Sequence, residues 1–271
     1  MQFTKEQVNS YNENGFLFLE NYFSKTEIDY IITQIPSLLS EDTPRRILEN
    51  NGAVRSILAP NTTNKVFQRL LQLSKLVKPS MQLLGSEVYV YQYKINVKAA
   101  LEGDKWDWHQ DFLYWHKEDG MPRSQALSVA IFLQEANDFN GPLLFIPGSH
   151  KEGMVDLNVR KKYLNNPLWT ATFSADLKYE VDKSFFERLL NKYEIFAAKG
   201  AAGSVLFFDS NVFHGSTNNM SAKDRTNILI TYNSLENAPP TAKNPRLEFI
   251  ASLNCNSVIS MPDNFLFEDV V

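Results

Sequence analysis

The chain has 271 residues, 44% of them hydrophobic, enough for a sizeable core in one large domain or two small ones. A net charge of −4 and a pI near 5.7, with no basic stripe, argue against nucleic acid or an anionic membrane as partner, because both select clustered Lys and Arg. No apolar run reaches the about 18 residues of a membrane span, the N-terminal residues show no signal-peptide pattern, and the single cysteine, Cys255, excludes an intramolecular disulfide, so the expectation is a cytoplasmic protein with an inert thiol.

Thr4 and Gln7 form a capping box flanked by Phe3 and Val8, which predicts a helix over 5–14 ended by Asn14-Gly15. GFLFLENYF follows as a strand entering the core. Ser24 and Glu27 repeat the box, and Ile28, Ile31, Ile32 and Ile35 recur at helical spacing until Pro36 kinks or stops the helix. Over 40–63 the pattern dissolves into a polar loop, EDTPRRILENNGAVRSILAPNTT; loops of this length often cover a site, and a solvated excursion is the rival reading. Helical spacing returns over 64–73 and 79–84, with Gly85 as a stop.

SEVYVYQYKINVK, 86–98, alternates as a strand: Tyr89, Tyr91, Tyr93, Ile95 and Val97 share one face, and Val88, Val90, Gln92, Lys94, Asn96 and Lys98 the other. The polar face is either solvated or, where helices cover the opposite side of the sheet, the lining of a polar cavity.

The stretch 106–141, WDWHQDFLYWHKEDGMPRSQALSVAIFLQEANDFNG, holds the centre of the chain. In an extended strand His109 and Asp111 lie on the same face. A matching imidazole, His214, follows the apolar run 205–208. Two His and one carboxylate on one side of an ion leave the opposite positions open, as in non-haem Fe(II) oxygenases. An isolated HxD carries little weight, and a lone His is more often a half-buried side chain bonded to backbone. The ensemble changes that balance: Arg225 lies eleven residues beyond His214, on the next strand, where it can hold the distal carboxylate of 2-oxoglutarate bidentately. Ser216, on the face of His214, can donate to the same carboxylate.

Further along, 127–134 reads as a buried strand, Asn140-Gly141-Pro142 as a turn, and LLFIP as another strand. His150 is expected to be structural, and His116 exposed or near a pocket mouth. The region 153–200 lacks strand rhythm and metal-ligand spacing, with a helix expected over 183–191; strands return over 203–208, 212–217 and 226–233. Arg246, in a tail that wraps the surface, reads as a solvated charge. Many short strands with turn signals and flanking N-terminal helices predict a mainly β fold, a double-stranded β-helix (jelly-roll, cupin-like) barrel. The expected organisation is a single domain, 1–271, with helices in 1–85 packed on a barrel in 86–235 and a tail in 236–271.

WHQD, EDGMPR, NGPLLFIPGSH, FHGS and the Arg225 spacing together resemble the phytanoyl-CoA dioxygenase superfamily of Fe(II)/2-oxoglutarate oxygenases, over about 3–249. Within it the chain is similar to the branch of proline, leucine and ectoine hydroxylases, and among these most to the proline 4-hydroxylases. The resemblance implies Fe(II) at His109, Asp111 and His214, 2-oxoglutarate held by Arg225, Ser216 and Lys98, and O2 as the other co-substrate. It implies a small free amino acid as substrate, L-proline first, hydroxylated at C4 while 2-oxoglutarate is decarboxylated to succinate and CO2. Gln92, Trp115 and Phe208 match substrate-side positions, and the loop over 40–63 has a counterpart in the branch. That makes Glu49 and Arg55 partners for the ammonium and carboxylate of a zwitterion, neither of which is buried unpaired without a cost of several kcal/mol. Leu229 departs from the ectoine enzymes, which carry Phe at the matching place. Pipecolate, leucine, ectoine and a carrier-bound amino acid remain open as substrates. A non-catalytic, metal-binding cupin-like sensor is the alternative from another class, but it predicts a damaged co-substrate anchor, and Arg225 and Ser216 are intact. A halogenase would have lost Asp111.

Overall fold

The structure is a computed structural model that describes residues 2–155, 157–163, 169–240 and 246–268. Its N-terminal helices begin where the capping residues place them. α1 (Lys5–Asn14) starts with both reciprocal bonds of the Thr4/Gln7 box and ends at Gly15, whose φ of 80° suits glycine. β1 (Phe16–Leu19) follows, and α2 (Lys25–Ile32) repeats the box with Ser24 and Glu27. Pro36 opens a separate helix, α3 (Ile35–Ser40), in whose first turn its missing N–H is no loss.

The expected loop over 40–63 is instead largely a hairpin of β2 (Arg46–Leu48) and β3 (Val54–Leu58). Its turn closes where the Glu49 amide donates to the Ala53 carbonyl at 2.8 Å, with Gly52 at φ 89°. α4 (Lys65–Leu70) and α5 (Ser74–Leu84) complete the layer. α5 begins ahead of Pro79 and carries it in its interior. Proline leaves the carbonyl four residues earlier without its helical donor, and the Tyr22 hydroxyl donates to that carbonyl, Lys75 O, at 2.6 Å.

The remaining elements are β4 (Val88–Lys98), β5 (Trp106–His109), α6 (Asp111–Asp119), β6 (Ala126–Phe132), β7 (Leu143–Phe145), β8 (Asn158–Val159), β9 (Tyr179–Glu180), α7 (Lys183–Lys192), β10 (Phe196–Ala198), β11 (Val205–Asp209), β12 (His214–Ser216) and β13 (Arg225–Ser234). A seven-stranded sheet runs β1-β11-β6-β13-β4-β3-β2, a four-stranded sheet runs β10-β7-β12-β5, and β8 pairs only with β9. The larger sheet turns Val129, Ile131, Phe207, Ile228 and Ile230 toward the helices, where they meet Ile31, Phe67 and Leu76. Its other face packs Ala130, Phe132, Leu206, Phe208 and Leu229 against Phe145 and Ala198 of the smaller sheet. The fold is the expected jelly roll, built as two facing open sheets; the described residues form no closed barrel. Among the described residues no helix is long and apolar enough to cross a membrane.

The alternation expected along 86–98 breaks once. Gln92 lies opposite Thr231, but Val90 lies opposite Tyr232, so Tyr91 is an extra residue, a β-bulge. Val88, Tyr93, Ile95 and Val97 therefore face the helices, whereas Tyr89 and Tyr91 turn inward onto Phe112 and Trp115 of α6. The single-face grouping of Tyr89 through Val97 is thereby corrected. Downstream of the bulge, Lys94, Asn96 and Lys98 keep the cavity side.

Tyr22→Phe removes the donor to the Lys75 carbonyl and is expected to lower stability by about 1 kcal/mol. Urea denaturation reads this; an unchanged midpoint would mean that water replaces the hydroxyl without loss.

Candidate active site

β5 and β12 are antiparallel neighbours, and His109 and His214 are direct cross-strand partners with ring centroids 4.2 Å apart. Asp111 arrives differently from the expectation. The strand stops at His109, Gln110 is the extended residue before α6, and Asp111 is the first residue of that helix. The turn is fixed by the Gln110 side chain, which donates to Gly153 O and Asn211 O at 2.7 Å each and accepts from the Val155 amide at 2.9 Å. A carboxylate at a helix N-terminus is favourable, and this one is pulled in beside both rings. Asp111 oxygens lie 3.8 Å from His109 Nε2 and 3.9 Å from His214 Nε2. One ligand atom from each of the three residues falls within 4.8 Å of the others, and all three side chains are buried.

The donor set fits a divalent metal ion in its protonation as well as its shape. His109 Nδ1 is hydrogen-bonded to Asp107 O at 2.7 Å and His214 Nδ1 to Val212 O at 3.0 Å, so each Nδ1 carries the proton and each Nε2 presents a lone pair. Burial, with His214 alongside, pushes His109 down to about 3, and burial lowers His214 too. For Asp111, burial works against ionisation, but the nearby Lys94 is foremost in offsetting it, and the carboxyl is held below its ordinary range. Ser128 donates to Asp111 Oδ2 at 3.4 Å and shares a 2.9 Å hydrogen bond with Thr231, its cross-strand partner.

The same cavity continues from the two histidines to a cationic end lined by Lys98, Ser216 and Arg225. Arg225 stands directly across the ladder from Lys98. The guanidinium donates to Gly141 O, and the Lys98 ammonium donates to Asp104 O and, at 2.6 Å, to Thr217 O. Gly141 has to be glycine: at φ 69°, a Cβ would sit 2.5 Å from Thr217 O and 2.8 Å from Lys98 Cδ. Burial, with Arg225 and Arg55 nearby, lowers Lys98 to about 6. Burial alone lowers Arg225 to about 10, because no carboxylate among the described residues compensates it. The buried Ser216 hydroxyl has no hydrogen-bond partner among them. A guanidinium without a counter-ion beside an unused hydroxyl is a fitting receptor for a carboxylate.

Residues 11–227 match the phytanoyl-CoA dioxygenase (PhyH) family. The chain belongs to that family. It is 37% identical to the L-proline trans-4-hydroxylase of Streptomyces griseoviridis over 250 residues, covering 92% of each chain. It is also 37% identical to the ectoine dioxygenase of Bordetella bronchiseptica over 258 residues, covering 91% of this chain and 82% of that one. Among solved structures, EctD from S. alaskensis with 2-oxoglutarate and 5-hydroxyectoine superposes with a TM-score of 0.81 at 28% identity, over 95% of this chain and 86% of that one. The PhyH match carries the enzyme class expected from the sequence, a 2-oxoglutarate-dependent dioxygenase.

The expected substrate contacts of this PhyH protein are distributed unevenly. Phe208 lies against the triad, its ring centroid 5.0 Å from that of His214. Gln92 is buried but donates to Ile250 O at 2.8 Å, and it lines a groove at the β4 edge apart from the triad cavity. Trp115 packs inside the α6 core, edge-on to Tyr91. Glu49 and Arg55 pair with each other at 2.7 Å and are both buried in their side chains. Arg246 is no solvated charge: its Nε donates to Asp119 at 2.6 Å, in a buried pair that Tyr91 joins. The cavity also contains Trp106 and Asn227, to which the sequence reading gave no role, along with Lys94 and Asn96, which it placed on the face that could line a cavity, and Leu229, which it weighed against the Phe of the ectoine enzymes. The signal for Lys94 and Asn96 was their shared parity with Lys98.

Substituting His109 or His214 by Ala is expected to weaken Fe(II) binding by more than the about 10–100-fold that loss of an outer-shell partner costs. Anaerobic titration, with circular dichroism to confirm folding, measures it; retained affinity would remove that histidine from the metal site.

Proposed function

We propose that this protein hydroxylates a small free amino acid, L-proline at C4, using Fe(II), 2-oxoglutarate and O2. The observation that carries the reading is a single cavity with the two histidines of the ligand triad at one end and, at the other, a guanidinium without a carboxylate partner among the described residues and an idle hydroxyl. His109, Asp111 and His214 hold the metal, and Arg225 and Ser216 take the distal carboxylate of the keto acid. Lys98 stands next to that carboxylate and gains a proton when the anion arrives, since burial and its cationic neighbours are what depress it. Iron, keto acid and O2 together supply the power to oxidise an unactivated C–H bond, releasing succinate and CO2. The protein's share is positioning: Leu229 and Trp106 keep the cavity wall apolar, and Phe208 braces the His214 ring.

L-Proline is placed first because the similarity to the proline hydroxylase of S. griseoviridis spans 92% of both chains. Ectoine is the second reading, supported by the Bordetella relative and opposed by the aliphatic Leu229. The discriminating experiment is anaerobic reconstitution with Fe(II), followed by air, 2-oxoglutarate and a panel of L-proline, pipecolate, L-leucine and ectoine. Equal amounts of succinate and 4-hydroxyproline are expected. Succinate with a different hydroxylated panel member overturns the substrate, and iron-loaded protein that makes neither product overturns the reaction.

Arg225→Ala removes a charged hydrogen bond of about 1.5–3 kcal/mol, so the half-saturating 2-oxoglutarate concentration is expected to rise at least about tenfold. An unchanged requirement would assign the anchor to another cation.

A further inference from the structure

Glu49 and Arg55 sit on the β2–β3 hairpin, and the zwitterion argument led to them as partners of the substrate's charges. Their surroundings point elsewhere. Arg55 is 1% exposed, and each nitrogen of its fork has an acceptor: Nη1 meets Glu49 Oε1 at 2.7 Å, Nε donates to Phe173 O at 2.6 Å, and Nη2 donates to Lys105 O at 2.7 Å. Glu49 Oε1 also accepts from the Asp104 amide at 3.2 Å, so the pair is tied to the residues that lead into β5. Buried and with a protein acceptor on each nitrogen, the guanidinium turns little toward a substrate except a flat face. That face is taken as well, because the Arg55 Cζ lies 3.8 Å from the centroid of the Trp106 ring.

Trp106 is part of the cavity wall. It lines the same cavity as Lys98, His109, Ser216 and Arg225, is the cross-strand partner of Ser216, and its ring is tilted 33° to that of His109 at 6.5 Å. The indole also packs against the cluster of Ile47, Leu58, Phe173 and Ile250, and the Arg55 guanidinium adds to that packing a cation in contact with the ring.

We propose that Arg55, oriented by Glu49, is a positioning residue for the co-substrate: it clamps the Trp106 indole as the wall between the His109 end and the Arg225 end of the cavity, and so sets the pose of the keto acid. The inference rests on the reading of that cavity as the 2-oxoglutarate site, and is independent of which amino acid is hydroxylated. Because the same guanidinium holds Phe173 O, it also joins the 153–200 region to the cavity wall.

The test uses Arg55→Met, Arg55→Lys and Glu49→Gln in the full chain, with Trp106→Phe to isolate the signal of one indole. Acrylamide quenching of tryptophan fluorescence, read on metal-free protein, is expected to rise in the Arg55 variants and not when Trp106 is already Phe. Half-saturating 2-oxoglutarate is expected to rise about tenfold, as misplacement of a bound reactant by a fraction of an ångström would cost, while the half-saturating amino acid changes by less than about twofold. Lysine is not expected to rescue, since an ammonium has neither the plane nor the fork. A raised amino-acid requirement with unchanged quenching would make Arg55 a substrate contact and overturn the proposal. A lowered melting temperature with quenching and both requirements unchanged would reduce the pair to scaffold. If Arg55→Met does not fold, Glu49→Gln, which keeps shape and loses charge, decides by the same two readouts. Indole release without any change in the 2-oxoglutarate requirement overturns the positioning role, whereas failure of the hydroxylase reading shows as absent turnover with the quenching difference intact.

Discussion

Two basic side chains face each other across a β-ladder, and one of them, the Arg225 guanidinium, has no carboxylate beside it among the described residues. Arg225 and Lys98 are direct partners on β13 and β4, and both are almost completely buried. Like charges placed opposite each other on antiparallel strands repel, and burial adds the cost of lost hydration. The fold bears this with backbone carbonyls from Asp104, Gly141 and Thr217, while burial and the neighbouring guanidinium groups of Arg225 and Arg55 lower Lys98 to about 6. Such an arrangement makes little sense as a stabilising device and good sense as half of an ion pair. On the proposed reading, a dicarboxylate that enters would relieve the repulsion, favour the protonated Lys98 and meet the Ser216 hydroxyl. Because the anion would raise Lys98 from its depressed value of about 6, its uptake at higher pH would bring a proton with it.

The metal end depends on backbone to a similar degree. Each histidine has its tautomer set by a carbonyl two residues earlier in its own chain, and the cross-strand pairing of β5 with β12 brings the rings together. Neither feature needs a side chain outside the two strands. The carboxylate is the part that needs help, which Gln110 supplies by turning the chain and Ser128, Thr231 and Lys94 supply by orienting and ionising Asp111. Ligands held by short, rigid elements with satisfied partners are already in the geometry that binding requires.

The residues proposed to carry the chemistry could be nominated in the sequence because metal ligation and carboxylate binding demand particular side chains in particular order, and the structure brings them to one region of the fold. His109, Asp111, His214, Ser216 and Arg225 could be named from spacing and neighbours alone. Their local backbone could not, since a strand and a strand-to-helix junction both bring the side chains of an HxD together. The bulge at Tyr91 was invisible for a related reason: apolar residues continue on both sides of it, and only pairing with β13 reveals the extra residue. The β2–β3 hairpin was hidden by its polar composition, and its charged residues Glu49 and Arg55, read as partners for a substrate's charges, are paired with each other. Arg246 was misjudged for the same reason. Charge patterns report burial only when the partner is also in view, and Asp119 lies 127 residues away.

The identity of the substrate is a question about the periphery. Ile47 and Leu58 of the hairpin, Phe173 of the 153–200 region and Ile250 of the C-terminal segment form one buried cluster, with Trp106 packed against it. Gln92 donates to the carbonyl of Ile250, and the Ser252 amide donates to Tyr91 O, so the C-terminal segment is laced to the bulged part of β4. Three segments distant in sequence thus converge beside a cavity whose reactive groups come from the sheets. Relatives named as a proline hydroxylase and as an ectoine dioxygenase are both 37% identical to this chain, so identity over the whole chain does not separate one substrate from the other. Whole-chain similarity of this kind carries the reaction class, and a preference among small substrates is a matter for the few side chains that line the cavity.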